Sequence, residues 1–220
     1  MTVIAIDGPA GAGKSSVARA VATALSFSYL DTGALYRAIA LAVLEEGVLP
    51  GDEHAVAVVA SRVEVKVHGD RTLLNGRDVS DRIRDEDVTM IVSLISSYPA
   101  VRERLLQLQK EMLVGGDIVI EGRDIGTRVA PDADLKIYLT ATLEQRAARR
   151  ARQIGAQGSD QVSMKRDLEN RDRADAERRE SPLVQASDSL AIDSTNLSLD
   201  EVVEQILSLA RSSTARERKR

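Results

Sequence analysis

No cysteine occurs among the 220 residues, which excludes a disulfide framework and a thiolate-bound metal. The two histidines, His54 and His68, match no zinc-ligand spacing, so a metal would have to be held by oxygens. Long apolar runs are missing as well. No stretch approaches the length that spans a bilayer, and Met1-Thr2-Val3-Ile4-Ala5-Ile6-Asp7 has neither the basic start nor the cleavage site of a signal peptide. The expectation is a cytoplasmic protein that makes no use of a membrane. Positive charge is not in excess either: a formal net charge of −4 argues against a general nucleic-acid binder, which gains affinity by neutralising many backbone phosphates. The one strongly basic end, Arg211 to Arg220, reads as a solvated terminus. Hydrophobic residues make up 43% of the chain, enough for a real core in one domain with an embedded subdomain.

What is present starts at the N-terminus. Gly8-Pro9-Ala10-Gly11-Ala12-Gly13-Lys14-Ser15 fits the phosphate-loop pattern G-x-x-x-x-G-K-[ST], directly after the apolar run Val3 to Ile6 and directly before a helix-patterned segment that includes Ser16. Glycines accept backbone angles closed to other residues, so successive N–H groups can point inward around phosphate at the open end of a helix. In such a loop Lys14 reaches the β- and γ-phosphates and the Ser15 hydroxyl reaches Mg²⁺, which makes a nucleoside triphosphate the expected ligand.

The rest of the chain alternates. Val17, Val21, Ala24 and Leu25 mark a first helix, Phe27 to Asp31 a second strand, and Ala34 to Glu46 a second helix. Asp117 to Glu121, Asp134 to Leu139 and Ser189 to Asp193 are apolar, bounded runs of the kind buried in parallel sheets. Five strands with intervening helices predict a three-layer α/β/α sandwich with a central five-stranded parallel sheet. Between Val63 and Val79 the texture changes to alternating valines and charges, with a tight-turn signal at Asn75-Gly76, which predicts a small antiparallel β insert. Val101, Leu105, Leu108 and Met112 mark a helix leading back to the central strand. Gly155 to Asp160 reads as a flexible loop, a candidate lid. The organisation is one domain over 1–220, with an embedded region at about 33–114, a lid at about 150–162 and the basic tail at 211–220.

Ligands of open parallel sheets bind outside the carboxyl ends of the strands. Those ends carry the phosphate loop, then Asp31-Thr32-Gly33-Ala34-Leu35-Tyr36-Arg37, then Glu121-Gly122-Arg123-Asp124. Singly, Asp31 reads as a helix cap and Arg37 as a surface arginine; together they suit a second phosphorylated substrate. Further on, Arg171, Asp175 and Arg178 recur at helical spacing, as solvated ion pairs or as part of a site, and Arg146, Arg149, Arg150 and Arg152 precede the candidate lid.

These segments together resemble the nucleoside monophosphate kinases, the bacterial cytidylate kinases in particular. The resemblance runs over nearly the full length, on Ile6 to Ser15, Leu30 to Arg37, Glu121 to Gly126 and Arg171 through Ser181-Pro182-Leu183, with the insert after Val63 similar to that of the bacterial form. It implies phosphorylation of CMP and dCMP by ATP with Mg²⁺; a monomer that uses no nucleic acid is the accompanying expectation. It further implies that Arg102 and Asp124 contact the cytosine with Ser93 nearby, and that Arg171 and Asp175 face the ribose. Arg37, Arg123 and Arg178 then hold the acceptor phosphate and the transferring group, Thr32 supplies a hydroxyl where many relatives carry serine, and Arg149, Arg150 and Arg152 close over ATP. Asp31 and Glu121 are the carboxylates for the metal's water shell, Glu121 standing where an aspartate also occurs. A kinase for UMP, AMP or shikimate is the nearest alternative. A nucleotide switch is opposed by the absence of Asp-x-x-Gly and Asn-Lys-x-Asp.

Overall fold

Strand β1 (Val3–Asp7) is buried along its whole length, as an apolar run in the middle of a sheet must be. The computed structural model describes residues 1–154 and 160–217, so most of the sequence-predicted loop at 155–160 and the last three residues of the basic tail lie outside the described residues. After β1 come α1 (Lys14–Leu25), β2 (Ser28–Asp31), α2 (Thr32–Glu45), α3 (Glu53–Arg62), β3 (Val65–His68), β4 (Arg71–Leu74) and β5 (Arg77–Asp78). A 3₁₀ turn at Arg82–Arg84 leads to α4 (Glu86–Ile95) and α5 (Pro99–Leu113). The chain then returns through β6 (Ile118–Gly122), a π-helical turn at Ile125–Val129, β7 (Leu135–Thr140), α6 (Leu143–Ile154), α7 (Asp160–Glu177), β8 (Leu190–Asp193) and α8 (Leu199–Glu217).

The five-stranded parallel sheet has the order β2-β6-β1-β7-β8. Its register sets Asp7 beside Gly122 on one side and Tyr138 on the other, so the loops that follow β1, β6 and β7 leave from one edge. The order also explains a departure from the sequence reading. Ser189 to Asp193 looks like a buried run, but β8 is an edge strand and only Ile192 is buried in it. In α1 the buried face is Lys14, Val17, Ala18, Val21 and Ala22, while Ala24 is exposed.

Two compact units divide the chain: Met1–Ser28 with Gly116–Arg220, and Tyr29–Gly115. In the first, α1 packs on β6 and α8, and α6 packs on α7. In the second, α2 is buried on most sides, from Leu35 through Val43 except Tyr36 and Arg37, and packs on α3, α4 and the insert. The insert is the three-stranded antiparallel sheet β3-β4-β5, with Val65 and Val67 inward and Lys66 and His68 outward. Asn75 and Gly76 turn the chain at φ 50° and 80°, the left-handed pair that a two-residue hairpin needs. Among the described residues no helix is long and apolar enough to cross a membrane.

Candidate active site

Helix α1 starts without a side-chain cap. Its N-cap is Gly13 in the left-handed region, at φ 95°, and no acidic residue stands in its first turn. Unmatched N–H groups and the helix dipole at such an end favour an anion. The loop before it is set by close approach: at Gly8, φ 148°, a β-carbon would stand 2.0 Å from the Leu139 carbonyl oxygen, so only glycine fits. Lys14 is buried and its Nζ donates to the Pro9 carbonyl at 2.8 Å. Burial pushes the Lys14 ammonium down to about 7, and the nearby Arg123 and Arg171 push the same way against Glu121 and Asp7. Ser15 is half-buried and Ser16 exposed on the first turn of α1.

Beside the loop stands the segment after β6. Glu121 and Asp124 are buried, and Arg123 Nε donates to Asp175 Oδ2 at 2.8 Å. Asp175 also pairs with Arg178 Nη1 at 3.3 Å, and Arg178 Nη2 donates to the Ser181 carbonyl at 3.1 Å. Burial raises the Asp175 carboxyl, but Arg123, Arg178 and Arg171 outweigh it and hold the group below the ordinary carboxylate range. The segment itself is fastened to β1. Asp7 accepts from the Ile125 N–H at 2.8 Å and the Gly126 N–H at 2.7 Å. Burial lifts the Asp7 carboxyl to about 6, opposed by those two backbone hydrogen bonds.

Helix α6 brings two of the sequence-predicted arginines to the loop's outer side or near it. Arg149 Nη1 donates to Ser194 Oγ at 2.9 Å and to the Ala12 carbonyl at 3.2 Å, and Nη2 to the Ser194 carbonyl at 2.6 Å. Arg150 is half-buried and Arg152 exposed. Arg146, buried, donates Nη1 to the Ala10 carbonyl at 2.9 Å and pairs with Asp172, whose Oδ1 accepts from the Ala10 N–H at 3.0 Å. Asp7, Asp172 and Ser194 carry no role in the sequence reading. Their partners lie 26 or more positions away, and no local spacing signals such pairs.

The unit Tyr29–Gly115 holds the remaining sequence-predicted residues. Asp31 caps α2, its Oδ1 accepting from the Ala34 N–H at 3.1 Å, and lies 3.5 Å from Arg84. Thr32 is buried at the start of that helix. Arg37 Nη1 donates to Thr89 Oγ1 at 2.8 Å and to the Ile83 carbonyl at 3.1 Å. Arg102 is buried, donates Nη1 to the Ser96 carbonyl at 3.1 Å and stands 5.3 Å from the centre of the Tyr36 ring, a cation–π contact. Ser93 is half-buried on α4.

A buried ammonium, pushed down by burial and by two neighbouring guanidiniums, stands at a helix end with no side-chain cap, an arrangement that suits condensed negative charge. A family model described as cytidylate kinase matches residues 4–212. A cytidylate kinase of Mycolicibacterium paratuberculosis (strain ATCC BAA-968 / K-10) is 50% identical over 216 residues, covering 95% of each chain. One from Desulfitobacterium hafniense (strain Y51) is 46% identical over 211 residues, 94% of this chain and 91% of the relative. In fold, the solved structure of a gluconokinase from Sinorhizobium meliloti 1021 is similar with a TM-score of 0.53 at 17% identity, over 99% of this chain and 97% of that one.

Proposed function

Since the chain belongs to the cytidylate kinase family, we propose that it transfers the γ-phosphoryl group of ATP to the phosphate of CMP, giving ADP and CDP, with dCMP as a second acceptor. The observation that carries this reading is the state of Lys14. Its ammonium is buried against the Pro9 carbonyl at the uncapped start of α1, and burial, with Arg123 and Arg171, pushes it down against Glu121 and Asp7, a loss of charge that bound phosphates would reverse.

The acceptor phosphate is the nucleophile. With a second pKa of about 6 it is largely dianionic at neutral pH and needs no general base. The enzyme's task is to align two mutually repelling anions and to stabilise the charge spread over the transferring group. Lys14 and the N–H groups from Gly11 to Ser16 hold the donor phosphates. Arg123 and Arg178, held by Asp175, are assigned to the acceptor phosphate and the group in transfer, as is Arg37. Arg149, Arg150 and Arg152 belong to the side that covers ATP and excludes water, which would otherwise compete as acceptor.

The donor set fits Mg²⁺, a hard cation that is held by one or two carboxylates together with substrate phosphates. The Ser15 hydroxyl on the first turn of α1 would bind it, with the buried Glu121 and the half-buried Asp31 acting through water. When bound, the ion neutralises phosphate charge.

Base choice is assigned to Asp124 and Arg102, with Ser93. Cytosine presents an exocyclic amino donor beside the N3 and O2 acceptors, which a carboxylate and an arginine complement, whereas uracil reverses two of these groups. Arg171 and Asp175 are assigned to the ribose. Asp175 still accepts from the 3′-hydroxyl of dCMP, and Thr32 supplies a further hydroxyl. The protein works on these nucleotides as a cytoplasmic monomer.

Purified protein with Mg-ATP and a panel of nucleoside monophosphates, followed by coupled detection of ADP, tests the reading. CMP and dCMP are expected as the preferred acceptors. Preference for UMP or AMP would sink the base assignment, and ATP hydrolysis without any acceptor dependence would favour a nucleotide switch.

A further inference from the structure

Ala10, the third residue of the phosphate loop, has both of its backbone polar groups taken by side chains of α6 and α7. Its N–H donates to Asp172 Oδ1 at 3.0 Å, and its carbonyl accepts from Arg146 Nη1 at 2.9 Å. Arg146 and Asp172 also pair with each other, with side chains only 9% and 20% exposed. The guanidinium is fixed from its other edge, where Nε donates to the Ala141 carbonyl at 3.1 Å. Apolar packing closes around this grip: Ala10 meets Ala147, Leu168 and Leu143. Gly11, at φ 75°, passes so near that a β-carbon there would stand 3.2 Å from Arg146 Cβ.

A largely buried ion pair brings little net stability, because desolvation offsets its attraction. What this pair supplies is registry. Asp172 and Asp175 are three residues apart on α7, hence on one face. Asp172 grips the phosphate loop while Asp175 grips Arg123 on the segment after β6. One helix thus spans the donor cradle and the acceptor arginines. We propose that Arg146 and Asp172 are positioning residues, which hold α7, and with it Arg171, Asp175 and Arg178, in line with the phosphate loop for phosphoryl transfer. A shift of about 1 Å between reacting groups costs up to about 10²-fold in rate even when it originates away from the chemistry. Attack by water on ATP needs no such alignment with α7.

This inference rests on the kinase reading, and its test separates the two. In each preparation CMP-dependent turnover is divided by CMP-independent ATP hydrolysis, a ratio that does not change with the fraction of folded protein. Asp172→Ala and Arg146→Ala are each expected to lower the ratio at least tenfold, and the double variant to lower it no further than the worse single. Asp172→Asn, which keeps an acceptor for the Ala10 N–H but loses the ion pair, is expected to fall between, and it serves if the alanine variants fail to fold. A ratio within twofold of wild type in Asp172→Asn together with either alanine variant, or effects that multiply in the double variant, would overturn the proposal. Wild-type protein with no CMP-dependent turnover would instead overturn the kinase reading.

Discussion

Strands β1 and β2 each end on an aspartate from which the chain turns toward a helix, and the two carboxylates do opposite things. Asp31 satisfies its own helix, accepting from the Ala34 N–H three residues on. Asp7 turns away from α1 and takes two N–H groups at Ile125 and Gly126, more than a hundred positions distant. Helix α1 starts at Gly13 with no side-chain cap. A carboxylate cap there would occupy the donors that a phosphate needs and place like charge against it. The same residue type at the same topological position therefore closes one helix end and leaves the other without a side-chain cap. The aspartate so released fastens the segment that carries Arg123 and Asp124.

If the fastened segment is the acceptor side of the reaction, its arginine matters most. Arg123→Ala is expected to lower turnover with CMP on the order of 10²- to 10³-fold, the scale of losing one positioned donor to a developing anionic charge, while circular dichroism shows that the fold is retained. Wild-type-like turnover would remove Arg123 from the clamp and reduce the Asp7 contacts to a structural tie.

The aspartate itself gives the middle effect, and it is one of pH. Burial raises the folded-state value of Asp7 from 3.8 to about 6, so the folded chain holds the proton more tightly than the unfolded one. Stability from this group is fully present below the unfolded value and is lost as pH rises through the folded one. Asp7→Asn has no such titration. Wild-type stability relative to Asp7→Asn is therefore expected to fall between about pH 4 and pH 7 by up to about 3 kcal/mol. Urea unfolding of both proteins across that range measures it. A difference that stays flat, or grows with pH, would show that the Asp7 carboxylate is ionised at no cost in the fold.

The same contrast marks what the sequence made legible. The phosphate loop, the Asp31 cap and the Asn75-Gly76 hairpin rest on residues within a few positions of each other, where spacing alone dictates the geometry. The five strands were readable from their apolar runs. Their order was not: the edge place of β8, which leaves Leu190 exposed, follows from pairing and from nothing in its own residues. On the site side, resemblance brought forward Arg123, Asp124, Arg171, Asp175 and Arg178. The ties of Asp7 to Gly126, Arg146 to Ala10 and Arg149 to Ser194 stayed hidden, because each joins a charged side chain to a distant backbone or hydroxyl group. A buried arginine or aspartate looks in sequence like a solvated one, and burial is decided by tertiary packing.

Asp31 offers the smallest effect and the finest cut, because its two proposed jobs respond to different substitutions. As a cap it needs only an acceptor, which asparagine supplies as well as aspartate. In the water shell of a magnesium ion it needs charge, which asparagine lacks. Asp31→Ala is expected to lower unfolding free energy by about 1 kcal/mol, and Asp31→Asn by less than about 0.5 kcal/mol. Both should raise the Mg²⁺ concentration for half-maximal turnover a few-fold, since a carboxylate acting through water contributes less than a direct ligand. An unchanged Mg²⁺ response in both variants would leave Asp31 as a cap alone. The metal's carboxylate would then be Glu121, and both strand-end aspartates would serve the fold, Asp31 by closing its own helix and Asp7 by holding a distant loop.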